Sequence, residues 1–150
     1  MKRSTLPRNI LIADDDADDR EMLKAAFEEN KSLHNICFVE DGEELMHYLN
    51  RKGAYTDPVS WPLPGIIILD LNMPRMDGWE ALRKIKMDEQ LKCIPVIILS
   101  TSKAEMDVLN CYALGVNSFI IKPVTFKGLV EITHMLDNYW FKTAELPNIC

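Results

Sequence analysis

The sequence predicts an α/β fold: a doubly wound sheet of five parallel strands flanked by five helices. Three observations predict it. The run Ile66-Ile67-Ile68-Leu69 is wholly apolar and lies between Pro64-Gly65 and Met73-Pro74. That is the pattern of a strand buried on both faces, as in a parallel sheet. Four further short apolar segments alternate with helical periodicity along the chain. Polar groups then gather where these segments end: Asp14-Asp15-Asp16, Asp70, Ser100-Thr101 and Lys122. In open parallel sheets the C-terminal strand ends form the edge where ligands and chemistry collect.

The elements follow in order. Ile10–Ala13 is the first strand, and Met22, Leu23, Ala26 and Phe27 mark one face of the helix after it. Aspartates at that helix start suit its cap and its dipole, and capping is the use expected of Asp16. Asn35–Val39 is the second strand. Asp41 and Glu44 have capping-box spacing, and Leu45, Met46, Tyr48 and Leu49 line a helix that ends near Gly53. From Gly53 to Gly65 three prolines (Pro58, Pro62, Pro64) exclude a regular helix, and Tyr55 and Trp61 are expected to pin this connection to the body.

After the central strand, Asp77 and Glu80 are spaced as a cap, and Trp79, Leu82 and Ile85 continue the helix to about Met87-Asp88. Pro95–Leu99 is the fourth strand. Ser102 with Glu105 predicts a capping box, Met106, Leu109, Tyr112 and Ala113 the helix face, and Gly115 the stop. Asn117–Ile121 is the fifth strand. The last helix is expected from about Phe126 to Phe141, with Leu129, Ile132, Leu136, Tyr139 and Trp140 along one side, and an extended tail from Thr143 to Cys150.

Composition bounds the function. The 150 residues suit one domain, with a core from about 9 to 141 and a tail over 142–150. Seventeen basic against 23 acidic residues give a net charge of −6, which argues against nucleic acid as a partner. Cys37, Cys93, Cys111 and Cys150 form no CxxC or Cys/His cluster, so the pattern is not that of a zinc site; the first three, in or beside apolar segments, are expected as reduced, partly buried thiols, and the terminal Cys150 as a bystander. Met1 to Arg8 lacks the apolar core of a signal peptide, and no stretch has transmembrane length, so a cytoplasmic location is expected. His34 precedes a strand, and His47 and His134 fall in helices, so none reads as a phosphotransfer histidine.

The residues at the strand ends carry the chemistry. Clustered carboxylates repel one another unless a cation sits among them, and oxygen ligands without histidine or cysteine favour a hard ion such as Mg²⁺. A lysine and a hydroxyl beside them suit a phosphoryl group. This edge therefore points to phosphoryl chemistry at a magnesium-binding site.

Asp14-Asp15 after the first strand, Asp70 in Leu-Asp-Leu-Asn-Met-Pro, Ser100 after the fourth strand and Lys122-Pro123 after the fifth together resemble the receiver domain of two-component response regulators. The resemblance covers about Asn9 to Phe141. More narrowly, Leu-Asp-Leu-Asn-Met-Pro-Arg-Met-Asp-Gly-Trp-Glu, the proline-bearing insertion and the Tyr-Trp…Leu-Pro tail resemble the single-domain regulators of bacterial phytochrome kinases.

The resemblance implies a flavodoxin-like fold with strand order 2-1-3-4-5 and no output domain. It implies a stand-alone phosphoprotein, not an enzyme, that takes a phosphoryl group from a sensor histidine kinase on Asp70 and assists its own phosphorylation and dephosphorylation. Mg²⁺, one per domain, is held by Asp15, Asp70 and the Asn72 carbonyl, with Asp14 acting through water. Lys122 and Ser100 contact the phosphoryl group. Asn72 and Ser102 tune its lifetime, and Pro123 follows a cis bond. The switch comprises Ser100, or Thr101 one position on, and Phe119, where many relatives carry tyrosine. Signalling passes through the fourth helix, fifth strand and fifth helix to a protein partner such as a phosphotransfer protein, or to a homodimer in which Tyr112, Tyr139 and Trp140 are candidate contacts. A core role is the other use open to Trp140.

Two other classes compete. A Mg²⁺-dependent aspartyl phosphohydrolase wants a second aspartate two residues after the nucleophile, where this chain has Asn72. A binding module that has lost phosphorylation is disfavoured by the intact Asp14, Asp15, Asp70 and Lys122.

Overall fold

The computed structural model describes residues 9–31 and 34–147. Its elements are β1 (Asn9–Ala13), α1 (Ala17–Glu29), β2 (Asn35–Val39), α2 (Gly42–Leu49), β3 (Ile66–Leu69), α3 (Gly78–Met87), β4 (Val96–Ser100), α4 (Glu105–Leu114), β5 (Ser118–Ile121) and α5 (Phe126–Leu136). All strand pairs are parallel, in the order β2-β1-β3-β4-β5. This is the doubly wound parallel sheet that the sequence predicts, in the flavodoxin-like order that the resemblance implies.

The apolar runs are continuous because the inner strands bury both faces. Leu11, Ala13, Ile67, Leu69, Val96 and Ile98 pack with Leu45, Leu49, Leu82 and Ile85 of α2 and α3. Ile10, Ile12, Ile66, Ile68, Ile97 and Leu99 pack on the other face with Leu23, Phe27, Leu129 and Leu136 of α1 and α5. The period-2 alternation of the pleat thus splits one apolar run between two cores. β2 and β5 are the edges and are only half-buried.

Side-chain caps form at four helix starts. Asp16, Asp41, Asp77 and Thr125 accept backbone N–H groups of α1, α2, α3 and α5. Ser102 does not cap α4 as expected: the N-cap is Ala104, with no side-chain bond, and the Ser102 hydroxyl instead donates to Asp107 at 2.5 Å. The loop runs two residues further before helical geometry begins, which carries Ser102 out of capping register. α4 also departs from its expected apolar face. Met106, Leu109 and Tyr112 are exposed, and Cys111 is the buried residue. The spacing was helical, but the helix turns that stripe away from the sheet. Gly115 ends α4 in the left-handed region at φ 104°, as expected.

The connection before β3 is pinned by its aromatics. Tyr55 and Trp61 pack against Tyr48 with centroids 5.0 and 6.0 Å away, and the Tyr48 hydroxyl donates to the Pro62 carbonyl at 2.7 Å. α2 stops at Leu49, short of Gly53. α5 widens into a π-helical turn over Asp137–Thr143, so the regular helix ends five residues before Phe141 while Trp140 and Phe141 still pack on the α1/α5 core. Of the cysteines, Cys37 is half-buried as expected, whereas Cys111 is fully buried and Cys93 exposed. Met1 to Arg8 and Cys150 lie outside the described residues.

Candidate functional site

Two backbone bonds carry the sheet one residue beyond its strands and set the site. The Asp14 N–H donates to Val39 O and the Asp70 N–H to Ala13 O, each at 3.0 Å. Asp14 and Asp70 therefore project from adjacent strands at one edge, both buried, while Asp15 is exposed. Carboxylate oxygens of Asp14, Asp15 and Asp70 all lie within 4.8 Å of one another. An all-carboxylate set at that spacing fits a hard divalent cation.

The loop geometry is held from below. Asp14 Oδ1 accepts from the Asp16 N–H at 2.9 Å, and Asp70 Oδ1 from the Asn72 N–H at 3.2 Å. Arg20 donates to the Asp14 carbonyl at 2.8 Å and pairs with Glu40. Gly78 is required where α3 meets the Asp70 loop: a Cβ there would stand 2.3 Å from the Asp70 carbonyl oxygen. Gly42 meets the same loop, its N–H donating to Met76 O at 2.8 Å, and Arg75 pairs with Asp41 at 3.5 Å.

Lys122 enters from the end of β5. Its ammonium lies 2.8 Å from Asp14 Oδ2, 2.8 Å from Asp19 Oδ2 and 3.2 Å from Asp70 Oδ2. Burial works against this ammonium, but the hydrogen bonds to Asp14 and Asp19 and the charges of Asp70 and Asp14 outweigh it and hold its pKa above the ordinary lysine value. Burial raises the Asp14 carboxyl, and the Lys122 and Asp16 hydrogen bonds only partly offset it.

The Lys122-Pro123 bond is trans, a correction to the expected cis bond, and no peptide bond among the described residues is cis. With this geometry the Lys122 N–H donates to Ser100 O at 2.8 Å and the ammonium still reaches the carboxylates. Trans is also the favoured isomer of an X–Pro bond by about 0.5–1 kcal/mol.

Ser100 is fully buried at the end of β4, and its hydroxyl accepts from the Ser102 N–H at 3.2 Å. Thr101 and Asn72 are exposed. Phe119 is half-buried against the α2–α4 core, and its N–H donates to the Tyr112 hydroxyl at 3.2 Å.

The structure thus brings Asp14, Asp15, Asp70 and Lys122 together. Asp19 and Arg20 belong to the same constellation and were not singled out in the sequence. The signal for Asp19 was its place in the first helical turn after the aspartate cluster.

Comparison with known proteins gives the family and the fold. The sequence fits the response regulator receiver domain family over residues 10–134. The chain belongs to that family. Response regulator Rcp1 of Synechocystis sp. is 34% identical over 144 residues, 96% of each chain. The crystal structure of the phosphorylated cyanobacterial phytochrome response regulator RcpA matches with a TM-score of 0.88 at 36% identity, over 95% of this chain and 100% of that one. The Mn²⁺-bound form of Rcp1 matches with a TM-score of 0.85 at 34% identity, over 95% of this chain and 100% of that one. The homologues are signalling response regulators, and the acidic cluster of this receiver is consistent with a divalent metal site.

Proposed function

We propose that this receiver is a stand-alone response regulator that takes a phosphoryl group on Asp70 from a sensor histidine kinase in a Mg²⁺-dependent reaction. The observation that carries the proposal is the Lys122 ammonium against Asp70, beside the Asp14, Asp15 and Asp70 oxygens. Asp15, Asp70 and the Asn72 carbonyl would hold Mg²⁺, with Asp14 acting through water. Bound there, Mg²⁺ supplies positive charge that neutralises phosphoryl oxygens.

An Asp70 carboxylate oxygen attacks the phosphorus of a phosphohistidine. The P–O bond forms as the P–N bond breaks, and its electron pair returns to the imidazole nitrogen. Lys122 pairs with one phosphoryl oxygen, and the Ser100 hydroxyl donates to another. Burial of Ser100 at the β4 end supports it over the exposed Thr101 in that role. Asn72 and Ser102 flank the acyl phosphate and tune its lifetime through access of water.

Movement of Ser100 toward the phosphoryl group draws the β4–α4 loop and frees space for Phe119. The α4–β5–α5 surface changes as a population shift between two states. Phe119 takes part by rotation alone, since it has no hydroxyl. The partners are a sensor histidine kinase, of the phytochrome type by likeness to RcpA, and a target or phosphotransfer protein; a homodimer would use the same surface. Rcp1, aligned over 96% of each chain, supports a regulator made of this domain alone. A cytoplasmic location is consistent with described helices too short or too polar to cross a membrane.

The test is intact-mass measurement after incubation with Mg²⁺ and a small phosphoryl donor, beside Asp70→Asn. One phosphoryl addition is expected in the parent, absent from the variant and removed by hydroxylamine. No addition in the parent, with magnesium binding confirmed, overturns the small-donor reaction; continuous donor turnover without an adduct favours a phosphohydrolase. Asp70→Ala should also abolish the phosphorylation-dependent change in partner binding, and unchanged binding sinks the switch.

A further inference from the structure

A lysine ammonium has three N–H donors. In Lys122 each has a carboxylate in reach: Asp14 Oδ2, Asp19 Oδ2 and Asp70 Oδ2. Two of these acceptors belong to the proposed metal cluster, and Asp19 does not. Asp19 stands in the first turn of α1 at the solvent rim, its side chain 38% exposed, against 2% for Asp14 and 11% for Asp70.

An ammonium and a divalent cation repel each other and compete for the same carboxylate lone pairs. Lys122 cannot withdraw along the backbone, because its N–H is tied to Ser100 O at 2.8 Å. Only its side chain can yield. Two other acids near the start of α1 are engaged elsewhere: Asp16 caps the helix, and Glu40 pairs with Arg20. Asp19 is the contacted carboxylate that a metal in the Asp14–Asp15–Asp70 cluster would leave available.

We propose that Asp19 is a positioning residue for Lys122. It holds the ammonium at the rim when a divalent cation takes Asp14 and Asp70, and so raises the metal affinity of the site. This rests on the metal reading above. Without the Asp19 charge, the ammonium has only the metal's own ligands as anionic partners, and the incoming cation must displace it onto water.

The test is calorimetric titration with Mn²⁺ alone at low ionic strength, with no phosphoryl donor present. Asp19→Asn should weaken Mn²⁺ binding by about three- to fivefold, the scale of one half-exposed ion pair. Asp19→Glu, which keeps the carboxylate, should restore affinity to within about twofold. Asp18→Asn removes the same charge one residue away, without a contact to Lys122, and should change affinity by less than about 1.5-fold. In a Lys122→Met background the Asp19→Asn effect should fall below about twofold, as expected when one partner of a coupled pair is gone.

Parental affinity in Asp19→Asn overturns the proposal, as does an equal loss in Asp18→Asn, which marks a bulk charge effect. No Mn²⁺ binding by the parent, identical to an Asp15→Asn control, overturns the metal reading and this proposal with it. Because Mn²⁺ binding is read without phosphorylation, failure of Asp70 to accept a phosphoryl group is a separate result.

Discussion

The α1/α5 pair on one face of the sheet and α4 on the other attach in different ways. On one side α1 and α5 are locked together. Phe27, Leu23 and Ala26 of α1 and Leu129 and Leu136 of α5 are buried. Asn30 donates to the fully buried Thr133 hydroxyl at 2.6 Å and to the Val130 carbonyl at 3.2 Å. Below them Asp137 is buried between His34 and Lys142, and the His34 ring stacks on Phe141. On the other side α4 buries only Cys111 and starts without a side-chain cap. It is tethered by Ser102 to Asp107 and by Tyr112 to the Phe119 N–H. Segments with few buried contacts open at lower free energy, and moving elements are drawn from them. The firm α1/α5 pair holds Asp19 against the site, while α4, with one buried side chain, is the loosely held part of the α4–β5–α5 surface proposed to change.

The largest expected effect tests that contrast directly. Phe27→Ala should cost about 3–5 kcal/mol in urea unfolding, as for other buried aromatics. Leu109→Ala on α4, where the side chain is 61% exposed, should cost no more than about 0.5 kcal/mol. Similar losses at the two positions break the comparison.

Gly78→Ala comes next and asks whether the firm frame extends beneath the site. Its Cβ would meet the Asp70 carbonyl at 2.3 Å and Leu71 Cα at 2.6 Å. A loss of about 1–3 kcal/mol is expected, as for other overpacked positions, together with slower phosphoryl uptake by Asp70. Unfolding and mass-measured uptake read the two effects, and normal uptake in a destabilised variant would separate the frame from the site.

A pair of hydroxyl deletions sharpens the contrast further. Thr133→Val removes one acceptor of Asn30 and should cost about 1–2 kcal/mol. Ser102→Ala should change global stability by only a few tenths of a kcal/mol while speeding amide hydrogen exchange at the start of α4. Unchanged exchange there would show that the Ser102–Asp107 contact does not hold the helix.

The last prediction concerns Cys111, the one buried residue of α4. Burial, with the Asp107 charge adding to it, pushes the Cys111 thiol up to about 11 from 9.0. Between those values the folded state keeps a proton that the unfolded state has lost, so stability falls as pH rises through the window. Tyr48 and Tyr55, pushed up to about 12 chiefly by burial, act in the same sense above their ordinary value of 10.0. Urea unfolding should show a loss on the order of 1 kcal/mol from Cys111 across that window, which Cys111→Ala removes. An equal slope in that variant would assign the loss to the tyrosines.

The strands were legible because the inner ones bury both faces, which leaves no polar alternation in Ile66–Leu69 or Val96–Leu99. Asp14 and Asp70 stood out because each follows such a run directly. α4 misled because helical spacing reports a stripe without saying what covers it. The place of Ser102 misled because capping spacing cannot tell a helix start from two further residues of loop. Thr125, the cap of α5, lies just after Lys122-Pro123 and went unnoticed beside the proline.

The sequence by itself determined the alternation of strand and helix, the two-sided core and the carboxylates at the strand ends. These follow from local patterns, since pleat period, helix period and a residue's position after an apolar run are written within a few neighbours. Only the tertiary structure decided that Lys122 meets Asp19 across 103 residues, that Gly78 must lack a Cβ under Asp70, and that the α4 stripe faces outward. Those depend on how helices dock on a twisted sheet. Docking is set by side chains far apart in sequence and near in space, and no local period encodes it.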